Sequence, residues 1–119
     1  MLATILDVTT QFNLNNGVKL DVGQWQNIVI HVSGSVSGTV NVTGTNDGGA
    51  VEGATNNNPV SSTNYTAIQI TNLATGTAVT SIGAAGNFRV IYPTQYIQIG
   101  GASAATTGKV IIFLTTPVM

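Results

Sequence analysis

The chain has 119 residues, of which 6% are charged and 43% hydrophobic, with a net charge of −1 and no cysteine. That length fits one domain, and the missing thiols exclude a disulfide framework or a thiolate metal site. Three scattered basic residues, Lys19, Arg89 and Lys109, cannot build the phosphate-neutralising patch on which nucleic-acid binding rests.

The charge content lies far below the roughly 25% of ordinary domains. Asp7, Asp21, Asp47 and Glu52 are the only acidic residues. Disorder is excluded by the regularly spaced β-branched residues. Near-zero net charge removes the self-repulsion that keeps proteins apart, so the composition suits a component of an assembly. The longest apolar run, Val110–Leu114, is too short to span a membrane. The first ten residues lack a basic n-region, so no secretory signal is expected.

In chain order, Leu2–Val8 alternates apolar and polar residues and predicts a first strand or an N-terminal arm within 1–14. Asn15-Asn16-Gly17 is a turn signal, because Asn-Gly tolerates positive φ. Val18, Leu20 and Val22 then share a face, with Lys19 and Asp21 toward water. After Gly23, Trp25 leads into a strand with Ile28, Ile30 and Val32 on one face. Val40 and Val42 answer it beyond a Ser/Gly turn, which predicts an antiparallel hairpin closed by Asn46-Asp47-Gly48.

From 48 to 63 the periodicity stops, and a long Gly/Asn/Ser loop is expected there. Tyr65–Thr71 and Thr77–Ile82 read as short strands. Gly86-Asn87 opens a stronger one, with Phe88, Val90 and Tyr92 facing together until Pro93 ends it. Tyr96–Ile99 follows, then a turn from Gly100-Gly101. The last strand, Lys109–Thr115, alternates Val110, Ile112 and Leu114 against Ile111 and Phe113. With both faces apolar, it must lie centrally or beneath a partner. No helix is expected. The reading is all-β: one antiparallel β-sandwich of about eight short strands over 1–119, jelly-roll or immunoglobulin-like.

A series of turn motifs recurs in a fixed order: Val32-Ser33-Gly34, Ser37-Gly38-Thr39-Val40, Thr45-Asn46-Asp47-Gly48, Gly86-Asn87-Phe88-Arg89, Tyr96-Ile97-Gln98-Ile99 and Thr107-Gly108-Lys109-Val110. From Gln26 to Leu114 this order resembles a β-sandwich module of tailed-phage virion proteins. One departure is local. The module carries a Trp soon after its Asn-Asp-Gly turn, where this chain has Val51 and an Asn-rich loop. The resemblance implies a virion structural protein, most like a capsid decoration (cement) protein that stabilises a bacteriophage head. It implies the major capsid protein as partner, a homotrimer, and a place on the capsid surface after synthesis in the host cytoplasm. Contacts with neighbouring chains are expected from Leu2, Ile5, Leu6, Phe12, Leu14, Arg89, Pro117 and Val118. The rival readings are a tail, fibre or spike module and a carbohydrate-binding module.

Chemistry-bearing residues are few. His31 is the only histidine, and with no Cys or second His it makes a poor metal site. Asp47 and Glu52 flank a Gly-rich loop but lack calcium-loop spacing, and Asp47 suits turn formation instead. Trp25, Tyr65 and Tyr96 could stack a sugar, against the alternative that Trp25 plugs the core. Arg89 points away from Phe88 and Val90, toward water, toward Asp47 or Asp21, or toward a carboxylate of an adjacent subunit. The acceptor patterns Asn41-Val42-Thr43 and Asn64-Tyr65-Thr66 arise readily by chance in so Thr/Asn-rich a chain. Nothing resembles a nucleophile elbow, a phosphate loop or a carboxylate pair. The expectation is a protein that is not an enzyme and carries no metal or cofactor.

Overall fold

The computed structural model describes residues 2–8, 18–46, 65–91, 94–100, 105–106 and 108–116. Within them the chain forms strands β1 (Ala3–Asp7), β2 (Val18–Asp21), β3 (Asn27–Val32), β4 (Val36–Ser37), β5 (Val40–Thr45), β6 (Thr66–Ala67) and β7 (Ile70–Asn72). There follow β8 (Ala78–Val79), β9 (Ser81–Ile82), β10 (Gly86–Val90), β11 (Tyr96–Gly100), β12 (Ala105–Thr106) and β13 (Val110–Thr115). Every pairing is antiparallel.

Two sheets make the sandwich. One has six strands in the order β1-β13-β3-β10-β7-β8, and the other runs β2-β11-β5-β6, with β9 also paired to β5. A two-stranded ribbon joins β12 to β4. With β6 and β9 taken together as one arm, the first strand lies beside the last, the last beside the third, and the third beside β10. In the opposite sheet β2 lies beside β11, and β11 beside β5. This is the jelly-roll order, which decides between the two connections left open by the sequence.

The core follows from the registers. Val110, Ile112 and Leu114 of β13 stand opposite Val32, Ile30 and Ile28 of β3, and Phe88 of β10 stands opposite Ile30 on the other side. From the second sheet come Val42 opposite Ile99, Val40 opposite Ile82, and Ile97 beside Leu20. All of these are buried except Leu20, which packs against the cluster from its margin. Each fully buried aliphatic side chain contributes about 1.5–3 kcal/mol of transfer free energy.

Two expectations change. Ile28–Val32 and Val40–Val42 do not pair as a hairpin: β3 pairs with β13 and β10, and β5 with β11, β6 and β9. Alternation assigns each strand a buried face but not a neighbour. The link between them turns through Gly34 (φ 82°) and Gly38 (φ 80°), with β4 engaged by β12, and crosses to the other sheet.

Tyr65–Thr71 and Thr77–Ile82 are not single strands either. Each changes sheet midway, a corner common where sandwich edges bend. In the first, the Ile68 amide donates to Val42 O (3.3 Å) on one side, and Gln69 O accepts from the Ile91 amide (3.2 Å) on the other. In the second, β8 pairs with β7 while β9 pairs with β5. These two breaks and the two strands of the short β4–β12 ribbon take the nine runs read along the chain to thirteen strands among the described residues.

Of the two readings open for Leu2–Val8, the first strand is the one formed: Ala3–Asp7 is the edge strand β1, in register with β13 from Ala3–Thr115 to Asp7–Ile111. Residues 9–14 of the expected arm and the whole 48–63 loop lie outside the described residues.

Before β13 the chain is clamped to the end of β3. The Ser33 amide donates to Lys109 O (2.9 Å), and the Lys109 amide donates to Ser33 Oγ (2.9 Å). A Cβ at Gly108 would collide with the Ser33 carbonyl, which this clamp holds in place, whereas a Cβ at Gly83 meets nothing within 4 Å. Gly108→Ala is expected to cost about 1–3 kcal/mol, and Gly83→Ala to change stability by less than about 0.5 kcal/mol. Urea denaturation of the two variants checks this, and equal midpoints would refute the clamp.

Candidate functional site

The outward face of the six-stranded sheet can be read from its registers. One row across the strands runs Ile5, Phe113, Val29, Arg89 and Thr71. The next runs Asp7, Ile111, His31 and Asn87. Ile5 is 65% exposed and Phe113 41%, while Val29 and Ile111 are half-buried. An apolar stripe therefore stands in water beside β1, and Leu2, 69% exposed, extends the exposed apolar surface at the same edge. Among the described residues no strand pairs with the far side of β1. Its outer row of backbone groups can bond another chain.

Polar groups frame the stripe. Arg89 Nη2 donates to Asn27 Oδ1 at 3.0 Å. That contact leaves further donors of the guanidinium for a carboxylate or carbonyl. His31 Nδ1 lies 2.7 Å from Asn87 Oδ1, a contact made by the Nδ1–H tautomer. Lys109 Nζ lies 3.9 Å from Asp7 Oδ2 with both side chains at least half exposed, so water screens the pair and it adds little stability. Among the described residues, no three His, Cys, Asp or Glu side chains gather into a metal-binding group.

The expected contact residues therefore separate. Leu2, Ile5 and Arg89 lie at the surface of the six-stranded sheet and its edge. Leu6 does not: it stands opposite Ile112, half-buried against the core, because its parity in β1 is opposite to that of Ile5. Phe12, Leu14, Pro117 and Val118 lie outside the described residues, as do Asp47 and Glu52. Arg89 bonds a neutral amide rather than Asp21, which belongs to the other sheet. Phe113 and Val29 were absent from the expected set. The signal for Phe113 was the doubly apolar alternation of the last strand.

The expected sugar platform is not assembled. Tyr96 is only 4% exposed, with its hydroxyl accepting from Gln95 Nε2 at 3.3 Å, so its ring face is closed. Tyr65 sits under Lys19, whose Nζ is 5.4 Å from the ring centroid. Trp25 is half-buried at an open groove of about 790 Å³ lined also by Asp21, Val22, Gly23, Gln24, Thr94 and Gln95.

The architecture matches the crystal structure of SPBc2 prophage-derived protein YomS over 98% of this chain and 96% of that one, with a TM-score of 0.64. The two chains share a fold. At 13% identity the likeness concerns the fold alone. No family model matches the chain, and no curated protein does.

The two faces of β13 make a direct check. Ile112→Ala is expected to cost about 2–5 kcal/mol by emptying a buried site. Its neighbour Phe113→Ala, on the outward face, should cost about 1 kcal/mol or less. Chemical denaturation measures both, and a reversed order would place the wrong face of β13 outward.

Proposed function

We propose that the chain is a structural protein of a tailed-phage virion, a decoration protein that docks on the major capsid protein as a homotrimer. The observation that carries the reading is the apolar stripe Ile5–Phe113–Val29 on the outward face of the six-stranded sheet, next to an edge of β1 along which no strand pairs among the described residues. Contiguous apolar surface on a soluble domain marks a place where another protein sits. The motif order from Gln26 to Leu114 and the fold shared with a prophage-derived protein direct the choice of partner toward a virion.

The mechanism is linkage. A protein that binds the assembled lattice but not its separated subunits makes disassembly less favourable by the free energy of that binding. Burying the stripe would supply about 25 cal/mol for each Å² removed from water. The polar groups flanking it, Arg89 and the Lys109–Asp7 pair, would set orientation rather than strength.

Heads assembled without the chain, then incubated with it and washed, test the reading by quantitative mass spectrometry. Wild-type protein should load on the order of hundreds of copies per head, as a symmetric lattice offers. Ile5→Asp and Phe113→Asp, both at exposed positions, should fold normally and load at least about tenfold less, since a charge forced into an apolar contact costs more than 1.4 kcal/mol. About a dozen copies would indicate a place at a vertex or the tail. No loading would overturn the proposal.

A further inference from the structure

The groove at Trp25 has a construction that the docking face does not explain. It forms where the β2–β3 connection meets the segment entering β11. The Val22 amide donates to Gln95 O (2.8 Å), the Trp25 amide to Val22 O (2.9 Å), and the Gln26 amide to Thr115 O (3.1 Å). Asp21 Oδ1 accepts from the Gly23 amide at 3.1 Å. Opposite, the Gln95 amide donates to Asn46 Oδ1 at 2.8 Å, and Thr94 Oγ1 donates to Tyr96 O at 2.6 Å. A Cβ at Gly23 would sit 3.0 Å from Gln95 Cγ, so glycine lets the two walls come this close. Both walls are thus held by backbone bonds together with the side chains of Asp21, Asn46 and Thr94.

The lining has a definite chemical character. Trp25 packs part of its ring on the core and is otherwise open to the groove, and among the described residues its indole N–H meets no acceptor. A tryptophan placed so offers an apolar ring with one donor at its rim. Around it stand one carboxylate, Asp21, and the amides of Gln24 and Gln95, which between them both donate and accept. No basic side chain lines the groove among the described residues. Anions are therefore disfavoured, and so many polar groups do not suit a purely apolar ligand. A ring face with hydrogen-bonding groups that both donate and accept at its rim fits a neutral molecule with a flat C–H face and a ring of hydroxyls. The volume, about 790 Å³, falls within the roughly 300–1,000 Å³ of ordinary ligand sites.

We infer that this groove binds a neutral glycan, with a pyranose ring stacked on Trp25 and its hydroxyls held by Asp21, Gln24 and Gln95. The site is distinct from the outer face of the six-stranded sheet, and the inference stands whether or not that face docks on a capsid.

Trp25 is the only tryptophan, so intrinsic fluorescence reports from the groove directly. The full chain is first screened on an array of neutral and acidic glycans. The neutral oligosaccharides it retains are then titrated into it in solution. Saturable change in Trp25 emission is expected. By calorimetry, Asp21→Asn combined with Gln24→Ala should weaken binding about tenfold, with the unfolding midpoint unchanged. Trp25→Phe should weaken it less than Trp25→Ala, because the ring stack survives. The surface variant Gly83→Ala should bind as wild type. If Trp25→Ala does not fold, the Asp21/Gln24 variant decides. Retention of no glycan, retention of acidic glycans only, or binding indifferent to the Asp21/Gln24 variant would each overturn the inference.

Discussion

The structure depends on the placement of β13 between β1 and β3. That single antiparallel register sets Val110, Ile112 and Leu114 against Val32, Ile30 and Ile28, and this forms the largest part of the six-stranded sheet's inner face. It also closes the topology, since the last strand lies beside the first. Because side chains alternate, the same register sends Ile111 and Phe113 outward. The core and the exposed stripe are thus two consequences of one pairing. A slip of β13 by one residue would exchange them and turn its three core side chains, Val110, Ile112 and Leu114, to water.

The sequence made the faces of strands legible far better than their neighbours. Ile28, Ile30 and Val32 are buried as alternation requires, and so are Val40, Val42, Ile97 and Ile99. Yet the apparent hairpin from Ile28 to Val42 does not form, because periodicity of two carries no information about which strand lies alongside. The partner of β3 is supplied by residues about eighty positions away, and only the summed packing of both sheets selects it. The corners at Ile68–Gln69 and Thr80 were hidden for a related reason. A strand that changes sheets keeps its alternation through the bend and so looks continuous in the chain.

The candidate sites show the same division. Ile5 and Arg89 were expected at the surface and stand there, because parity within β1 and β10 decides it. Leu6 was misplaced by one step of that parity. The aromatic residues were harder. Trp25, Tyr65 and Tyr96 are each near a strand end, but their grouping depends on how the β2–β3 connection and the β10–β11 connection fold over one another. Backbone bonds between Val22 and Gln95 settle that meeting, and no local pattern announces it. The outcome puts Trp25 with Asp21, Gln24 and Gln95 while closing Tyr96 into the interior.

The two proposed surfaces differ in how they use charge. The stripe Ile5–Phe113–Val29 itself carries no ion, so covering it meets no charge desolvation there, while the groove, lined by Asp21 and by no basic side chain among the described residues, disfavours anions. In the proposed role, the outer face beside β1 is where this chain meets its partner. Hydrogen exchange of the chain free and bound to phage heads tests it most directly. Amides of Leu2–Val8 should slow on binding, while those of Thr94–Gly100 keep their free rates. Unchanged exchange at Leu2–Val8, with slowing confined to other segments, would contradict it.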